Sequence, residues 1–329
     1  MSAHTASRHL PEGELSAGDA TPAVLRAINP RRSPATTLID VSHRLRARDY
    51  TIATLLDDHL TLTTDHLTSV LFSNLTTCRH RLHLLRRLGF IDRFLRNRPG
   101  APNPVCWLPG LLSSRYVALA RDDNPPTARA VRERQDRIYS SPTLQHLLAV
   151  NDVFVALLVH ARHQPGAALT RWWSERTTAA AFGHRIKPDG HGVWTDGDQE
   201  TGFFLELDRG TEPLGRLVDK LTSHRKLVAE GGPQYPVLFV LPSRLREQNL
   251  HRRLADRPEP TLIVATTSPE SGSDPAGPVW RMAGNGRHRL TLADLPSSHG
   301  QPGPFTPGPA RPDDHPLRLV LDSAGRTES

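Results

Sequence analysis

Apolar residues recur at helical spacing from Arg48 onward: Ile52, Leu55, Leu56 and Leu60 place one stripe along a helix over Asp49–His59. Thr63-Thr64-Asp65 supplies cap chemistry for a second short helix ending near Phe72. A third runs from about Thr76 to Leu88, where Gly89 stops it. Past Gly89 the period shortens to that of strands. Phe90–Leu95 and Val105–Leu108 read as a pair around a turn at Asn97-Arg98-Pro99-Gly100. Three helices followed by a basic hairpin is the layout of a winged helix-turn-helix, here over residues 45–118.

Residues 119–141 are polar, carry Pro125-Pro126 and read as a linker that turns helical near its end. A long amphipathic helix then spans Thr143–His163 through Leu144, Leu147, Leu148, Val153, Leu157 and Leu158. Strands are predicted at Leu169–Arg176, His184–Pro188 and Gly202–Asp208, a helix from Pro213 to about Val228, and a strand at Val237–Leu241. A helix at Ser243–Leu254 and a strand at Thr261–Ala265 complete the series. Helix, three strands, helix, strand, helix, strand is an α/β (α+β) arrangement around a mixed sheet over 142–267. The flanks differ in composition. Residues 1–44 read as a disordered leader, and 268–329 as a Pro/Gly-rich tail, mostly disordered, with Leu317–Leu321 as an isolated strand.

Charge adds a partner class. The formal net charge is +7 and the pI about 10.1, which suits a polyanion. Nearly all the base charge is arginine, the lysines being Lys187, Lys220 and Lys226; abundant alanine, proline and threonine point to a high-GC genome as the source of that bias. Cys78 and Cys106 are too few for a disulfide framework or a four-ligand zinc site and are read as small core residues. No apolar leader and no run of about eighteen apolar residues is found, so a cytoplasmic protein without a membrane span is expected.

On the third helix Leu75, Cys78, Leu82, Leu85 and Leu88 share one face, while Arg79, His80, His83 and Arg87 fall on the other. A recognition helix needs that division, since one face packs while the other enters the major groove. The hairpin adds Arg93, Arg96 and Arg98 where a wing meets phosphate, so double-stranded DNA is the expected partner. An ordinary solvated basic face is the plain alternative.

The second signal is acidic. Ile186-Lys187-Pro188-Asp189 is followed by Phe203-Phe204-Leu205-Glu206-Leu207-Asp208. The restriction-endonuclease-like (PD-(D/E)xK-type) fold uses a Glu, a Pro-Asp at a strand end and a Glu-x-Lys on the next strand, because paired carboxylates hold Mg²⁺ and the lysine orients or deprotonates water. Glu175, Asp189 and Glu206 stand in that order. Strand alternation puts Glu206 and Asp208 on one face, opposite Phe203, Leu205 and Leu207. Asp208 occupies the place of the lysine, which leaves Lys220 on the next helix as the replacement. Asp189, Glu206 and Asp208 are thus the candidate Mg²⁺ ligands, and Glu175, Asp189, Glu206, Asp208 and Lys220 the candidate catalytic set. Solvated acids at an edge-strand end, or local arginine salt bridges, are the alternative.

Other chemistries lack their motifs. There is no His-Glu-x-x-His, no phosphate loop of the Gly-x-x-x-x-Gly-Lys type and no Gly-x-Ser-x-Gly elbow. Tyr50, Tyr116, Tyr139 and Tyr235 stand in no recognisable nucleophile context. Phe72…Arg81-Leu82…Leu85…Leu88-Gly89-Phe90-Ile91, Trp172-Trp173-Ser174-Glu175-Arg176, Lys187-Pro188-Asp189-Gly190 and Glu206-Leu207-Asp208-Arg209-Gly210-Thr211-Glu212, with the later Lys220-Leu221, carry a resemblance. Over roughly residues 45–265 the chain resembles the replication-relaxation family of actinobacterial and Gram-positive mobile elements. The resemblance implies a DNA-associated protein of plasmid replication and DNA relaxation, with an N-terminal winged helix and a nuclease-like second domain. Aspartate in place of the nuclease lysine is then a family trait. Other plasmid replication or transfer proteins are the implied partners, and the Thr143–His163 helix is the candidate for a homodimer contact.

Overall fold

A computed structural model describes residues 37–96, 103–256, 261–301, 303 and 305–325. It is a mixed α+β structure. The first part contains α1 (Leu38–Ser42), α2 (Ala47–His59), β1 (Leu62–Thr63), α3 (Thr64–Leu71), α4 (Leu75–Arg87), β2 (Ile91–Leu95) and β3 (Val105–Pro109). Its strands form an antiparallel sheet of order β1-β3-β2. Local chemistry sets the ends: the Thr63 hydroxyl accepts from the His66 N–H at 3.1 Å to cap α3, and the Asn74 side chain accepts from the Thr77 N–H at 2.9 Å to cap α4. Gly89, at φ 73°, turns the chain from α4 into β2. Ile52, Leu56, Leu67, Cys78, Leu82, Leu85 and Phe90 close the core beneath.

Next come α5 (Leu111–Ala120), α6 (Ala128–Tyr139), α7 (Leu144–His163), β4 (Ala167–Ser174), α8 (Glu175–Ala181), β5 (Gly190–Asp196), β6 (Gln199–Leu207) and α9 (Leu214–Ala229). The series ends with β7 (Val237–Val240), α10 (Arg244–Asp256), β8 (Val264–Thr267), β9 (Arg281–Met282) and α11 (Arg318–Gly325). The second sheet has the order β4-β5-β6-β7-β8-β9; β6, β7 and β8 are parallel and the other pairings antiparallel. Alternation along β6 sends Phe203 and Leu205 to the α7 side and Phe204 to a second core under α9 and α10. The α7-side core is continuous with that of the first part, so the two halves pack as one body.

Several expectations are corrected. The strand expected at His184–Pro188 begins instead at Gly190, where glycines are required: a Cβ on Gly190 would meet the Phe154 ring at 2.7 Å, and one on Gly192 the Phe203 ring at 2.4 Å. Glu175 opens α8 rather than ending a strand. The linker reading of 119–141 gives way to α6, whose Val131 and Ile138 are buried and whose Gln135 side-chain amide donates to the Pro109 carbonyl at 2.7 Å. Helix α7 is long and apolar enough to cross a bilayer by length and composition alone, a test that a buried core helix also passes. It buries Leu148, Phe154, Leu157 and Leu158 inside the chain.

The tail differs most. Leu317–Leu321 falls in and before helix α11, not a strand, and α11 packs on α2. Upstream, β9 extends the sheet, Trp280 and Leu292 are fully buried, and Arg289 makes a double hydrogen bond with the buried Glu247 at 2.8 and 3.1 Å. Proline and glycine prevent long regular elements here, but the segment satisfies its backbone along existing edges, as in Gln234–Ser298 and Trp280–Leu290. Residues 1–36 of the expected leader lie outside the described residues, while Thr37 caps α1 within it.

Candidate functional site

Residues at the C-terminal end of β6 meet the start of β5, the first turns of α7 and the middle of α9. Gly190 pairs with Leu205, so Asp189 and Glu206 stand side by side where that ladder ends. The Asp189 Oδ2 accepts from the Leu207 N–H at 2.7 Å, which fixes the carboxylate, and its Oδ1 lies 2.9 Å from His146 Nε2. The Glu206 side chain is only 3 % exposed, and its Oε2 receives Lys220 Nζ at 2.5 Å. Lysine on α9 therefore does reach the carboxylate.

The electrostatics follow from this packing. Burial pushes the Glu206 carboxyl up to about 7, and the charge of Asp189 adds to the shift, while Lys220 and His146 draw it back. The His146 pKa is raised, chiefly by its hydrogen bond to Asp189. For Lys220 burial opposes the charge, yet Glu206 and Asp189 together hold its pKa above the ordinary lysine value. Two carboxylates and two basic side chains thus meet in one hydrogen-bonded cluster.

Asp208 does not join it. Its carboxylate is taken by Arg246 of α10, through Nε and through Nη2 at 3.1 Å, and accepts the Gly210 N–H at 2.8 Å. Glu175 sits apart, paired with Lys187 at 2.8 Å. Among the described residues no three His, Cys, Asp or Glu side chains are gathered as a metal-ligating group, so the trio Asp189, Glu206 and Asp208 is reduced to its first two. His146 and Arg246 escaped the sequence reading, because each lies on a helix whose approach to β6 is a tertiary fact.

Above the cluster lies a cavity of about 820 Å³ between the N-terminal helices and the sheet. His59 of α2, Arg137 of α6, Trp172 of β4, Arg176 of α8, Arg209 and Lys220 all border it.

The predicted basic residues of α4 are where the pattern put them. Arg79, His80, His83 and Arg87 are exposed and, with Arg86, line a shallow recess of about 460 Å³. Among the described residues Arg79 and Arg87 have no ion-pair partner, whereas Arg81 is bound to the buried Asp49 and serves the core. The His83 pKa is lowered by burial and then by Arg93, Arg86, Arg87 and His80, a sign of concentrated positive charge. Arg93 lies on β2 with its guanidinium 5.9 Å from the Trp107 ring, and Arg96 follows that strand. Arg98 lies outside the described residues.

These features define a mixed α+β protein with a basic helix face and, apart from it, a buried carboxylate–lysine cluster. The replication-relaxation family model matches residues 54–240, and the chain belongs to that family. No curated protein and no solved structure matches it.

Proposed function

We propose that this chain is a DNA-binding protein acting in plasmid or mobile-element replication or relaxation, and that α4 seats duplex DNA. The observation that carries the reading is the row Arg79, His80, His83 and Arg87, exposed along one side of α4 while Cys78, Leu82 and Leu85 pack the other. Helices α2, α3 and α4 with the β2–β3 hairpin follow the order of a winged helix-turn-helix, in which that side enters the major groove and the hairpin meets the backbone. Family membership supplies the replication context. The expected result for Arg79→Gln/Arg87→Gln is a shallower salt dependence of duplex binding, by about 0.9 in slope per phosphate contact removed. Anisotropy titrations across salt concentrations measure it, and an unchanged slope would place the duplex elsewhere.

A second reading rests on a separate observation, the juxtaposition of Asp189, Glu206 and Lys220. The order α7, β4, α8, β5, β6, α9, β7, with β6 and β7 parallel, is compatible with a PD-(D/E)xK nuclease core. Two adjacent carboxylates already drawing two cationic groups are a donor set that suits Mg²⁺, which commonly takes one or two carboxylates and completes its shell with water and phosphate oxygens. Asp189 and Glu206 would hold it, and bound there it supplies Lewis acidity toward a phosphodiester. Lys220 is placed to hold a phosphate oxygen or a water, and His146 to keep Asp189 oriented. With Mg²⁺ or Mn²⁺, supercoiled plasmid is expected to pass to open circles, with Asp189→Asn at least a hundredfold slower. Equal rates in the two proteins would end this reading.

A further inference from the structure

We infer that the cavity above Asp189 and Glu206 is built for a single strand of DNA rather than for a duplex. The inference rests on the phosphodiester reading of that cluster and adds the form of nucleic acid it takes.

Size decides first. The space is about 820 Å³, and a duplex whose major groove alone is about 12 Å wide does not enter it whole. Helix α6 closes the side that an open nuclease groove would leave free, held by Arg134 in its bond to Asp57 and by Gln135 in its bond to Pro109. One strand with its bases turned inward fits; two paired strands do not.

Charge agrees with size. Arg137 and Arg176 are exposed at the cavity edge with no ion-pair partner among the described residues, and Arg209 hydrogen bonds only to the neutral Gln145 at 2.8 Å. The rim acids Asp58 and Glu175 are each neutralised, by Arg121 and by Lys187, with the exposed Glu212 left to oppose the arginines. Three guanidinium groups around one opening form a track for successive phosphates. Between them the wall mixes polar side chains with the apolar Ile138, Leu147, Val150 and Leu207, over a buried stack of Trp172 between His59 and Phe154. Apolar patches under a cationic rim give unpaired bases a surface that does not read their sequence.

The test is a pair of binding titrations in EDTA, where no cleavage interferes, using fluorescein-labelled oligo(dT) and a labelled duplex. Arg137→Gln/Arg176→Gln/Arg209→Gln is expected to lower the ratio of single-strand to duplex affinity at least tenfold, and Arg79→Gln/Arg87→Gln to raise it. Should the triple variant lose its cooperative melt, the single variants serve, each lowering the salt slope for oligo(dT) by about 0.7. No oligo(dT) binding by the wild-type chain, or a ratio unmoved in the triple variant, overturns the inference. Oligo(dT) binding that depends on the three arginines, in a protein that nicks no plasmid, would sustain the cavity assignment and remove only the nuclease reading.

Discussion

Acidification from pH 6.5 to 5 is expected to lower the stability of the fold by about 5 kcal/mol, because four desolvated histidines have no place for a second proton. His59 lies 2 % exposed against Trp172, and burial pushes its pKa down to about 3. His191 donates from Nδ1 to the Phe203 carbonyl at 2.8 Å, leaving Nε2 without a partner, and burial takes its pKa to about 3 as well. His224 has an unpartnered Nδ1 and is pushed down to about 4 by burial, as is His251, whose Nε2 lies 2.8 Å from the Thr266 hydroxyl. Each folded value lies below the unfolded one near 6.5, so the stability these groups contribute is complete above pH 6.5 and is lost as the pH falls. Glu206 acts in the opposite sense: with its carboxyl raised to about 7, the folded state takes that proton before the unfolded chain does. His146 is also raised, chiefly through its hydrogen bond to Asp189.

Four protons favouring the unfolded state less one favouring the folded state leave about three, or roughly 4 kcal/mol per pH unit once the unfolded rings are charged; they are half charged at pH 6.5, so the interval to pH 5 comes to about 5 kcal/mol. Against a usual stability of about 5–15 kcal/mol that is a large fraction. Urea unfolding at pH 7.5, 6.5 and 5.0 measures it, and His224→Leu should flatten the acid limb by about 1.4 kcal/mol per unit. A midpoint that does not move between pH 6.5 and 5.0 would mean that these rings are hydrated.

What the sequence disclosed and what it withheld divide along physical lines. Periodicity reports burial on one element, so α2, α3, α4 and the division of α4 into apolar and basic faces were legible residue by residue. The same holds for Glu206, which alternation puts opposite Phe203 and Leu205 on β6, whereas Asp208 lies just past the strand's end at Leu207. Which partner crosses to that face is not a property of the strand. Asp208 faces α10 and is captured by Arg246, whereas Glu206, two residues earlier, faces α9 and meets Lys220. The pairing with Lys220 was open to inference because the chemistry demanded a lysine and the sequence holds only three. Nothing comparable pointed to His146 or Arg246. Composition misled at the C-terminus, where proline and glycine signal the lack of long elements, not the lack of contacts. Trp280, Leu292 and Leu295 are buried without any period to announce them.

That C-terminal segment carries the second large effect: Asp314→Ala is expected to destabilise the protein by about 3 kcal/mol. Arg171, in the edge strand β4, has a side chain only 1 % exposed. Asp314 Oδ2 receives its Nη2 at 2.7 Å and its Nε at 3.1 Å; the carbonyls of Gly308 and Pro309 accept from Nη1 and Nη2 at 2.9 Å, and Trp173 lies 4.3 Å beneath. Removing the carboxylate leaves a buried guanidinium with neutral acceptors but no counter-charge, the costly way to break such a pair. Asp314 is 18 % exposed, so water offsets part of the loss and the lower end of the usual 3–5 kcal/mol range applies. The same oxygen also accepts from the Arg311 N–H at 2.9 Å, so the turn that leads into α11 loosens with it. Leu317 and Val320 then lose their hold on the α2 side of the core. Faster hydrogen exchange over 308–325 should accompany the drop in urea midpoint. Replacing both partners, Arg171→Met/Asp314→Leu, removes the stranded charge and is expected to recover much of the stability. A change below about 0.5 kcal/mol in Asp314→Ala would show that the two carbonyls and Trp173 hold the guanidinium unaided, and that the segment is not fastened to the sheet through this pair.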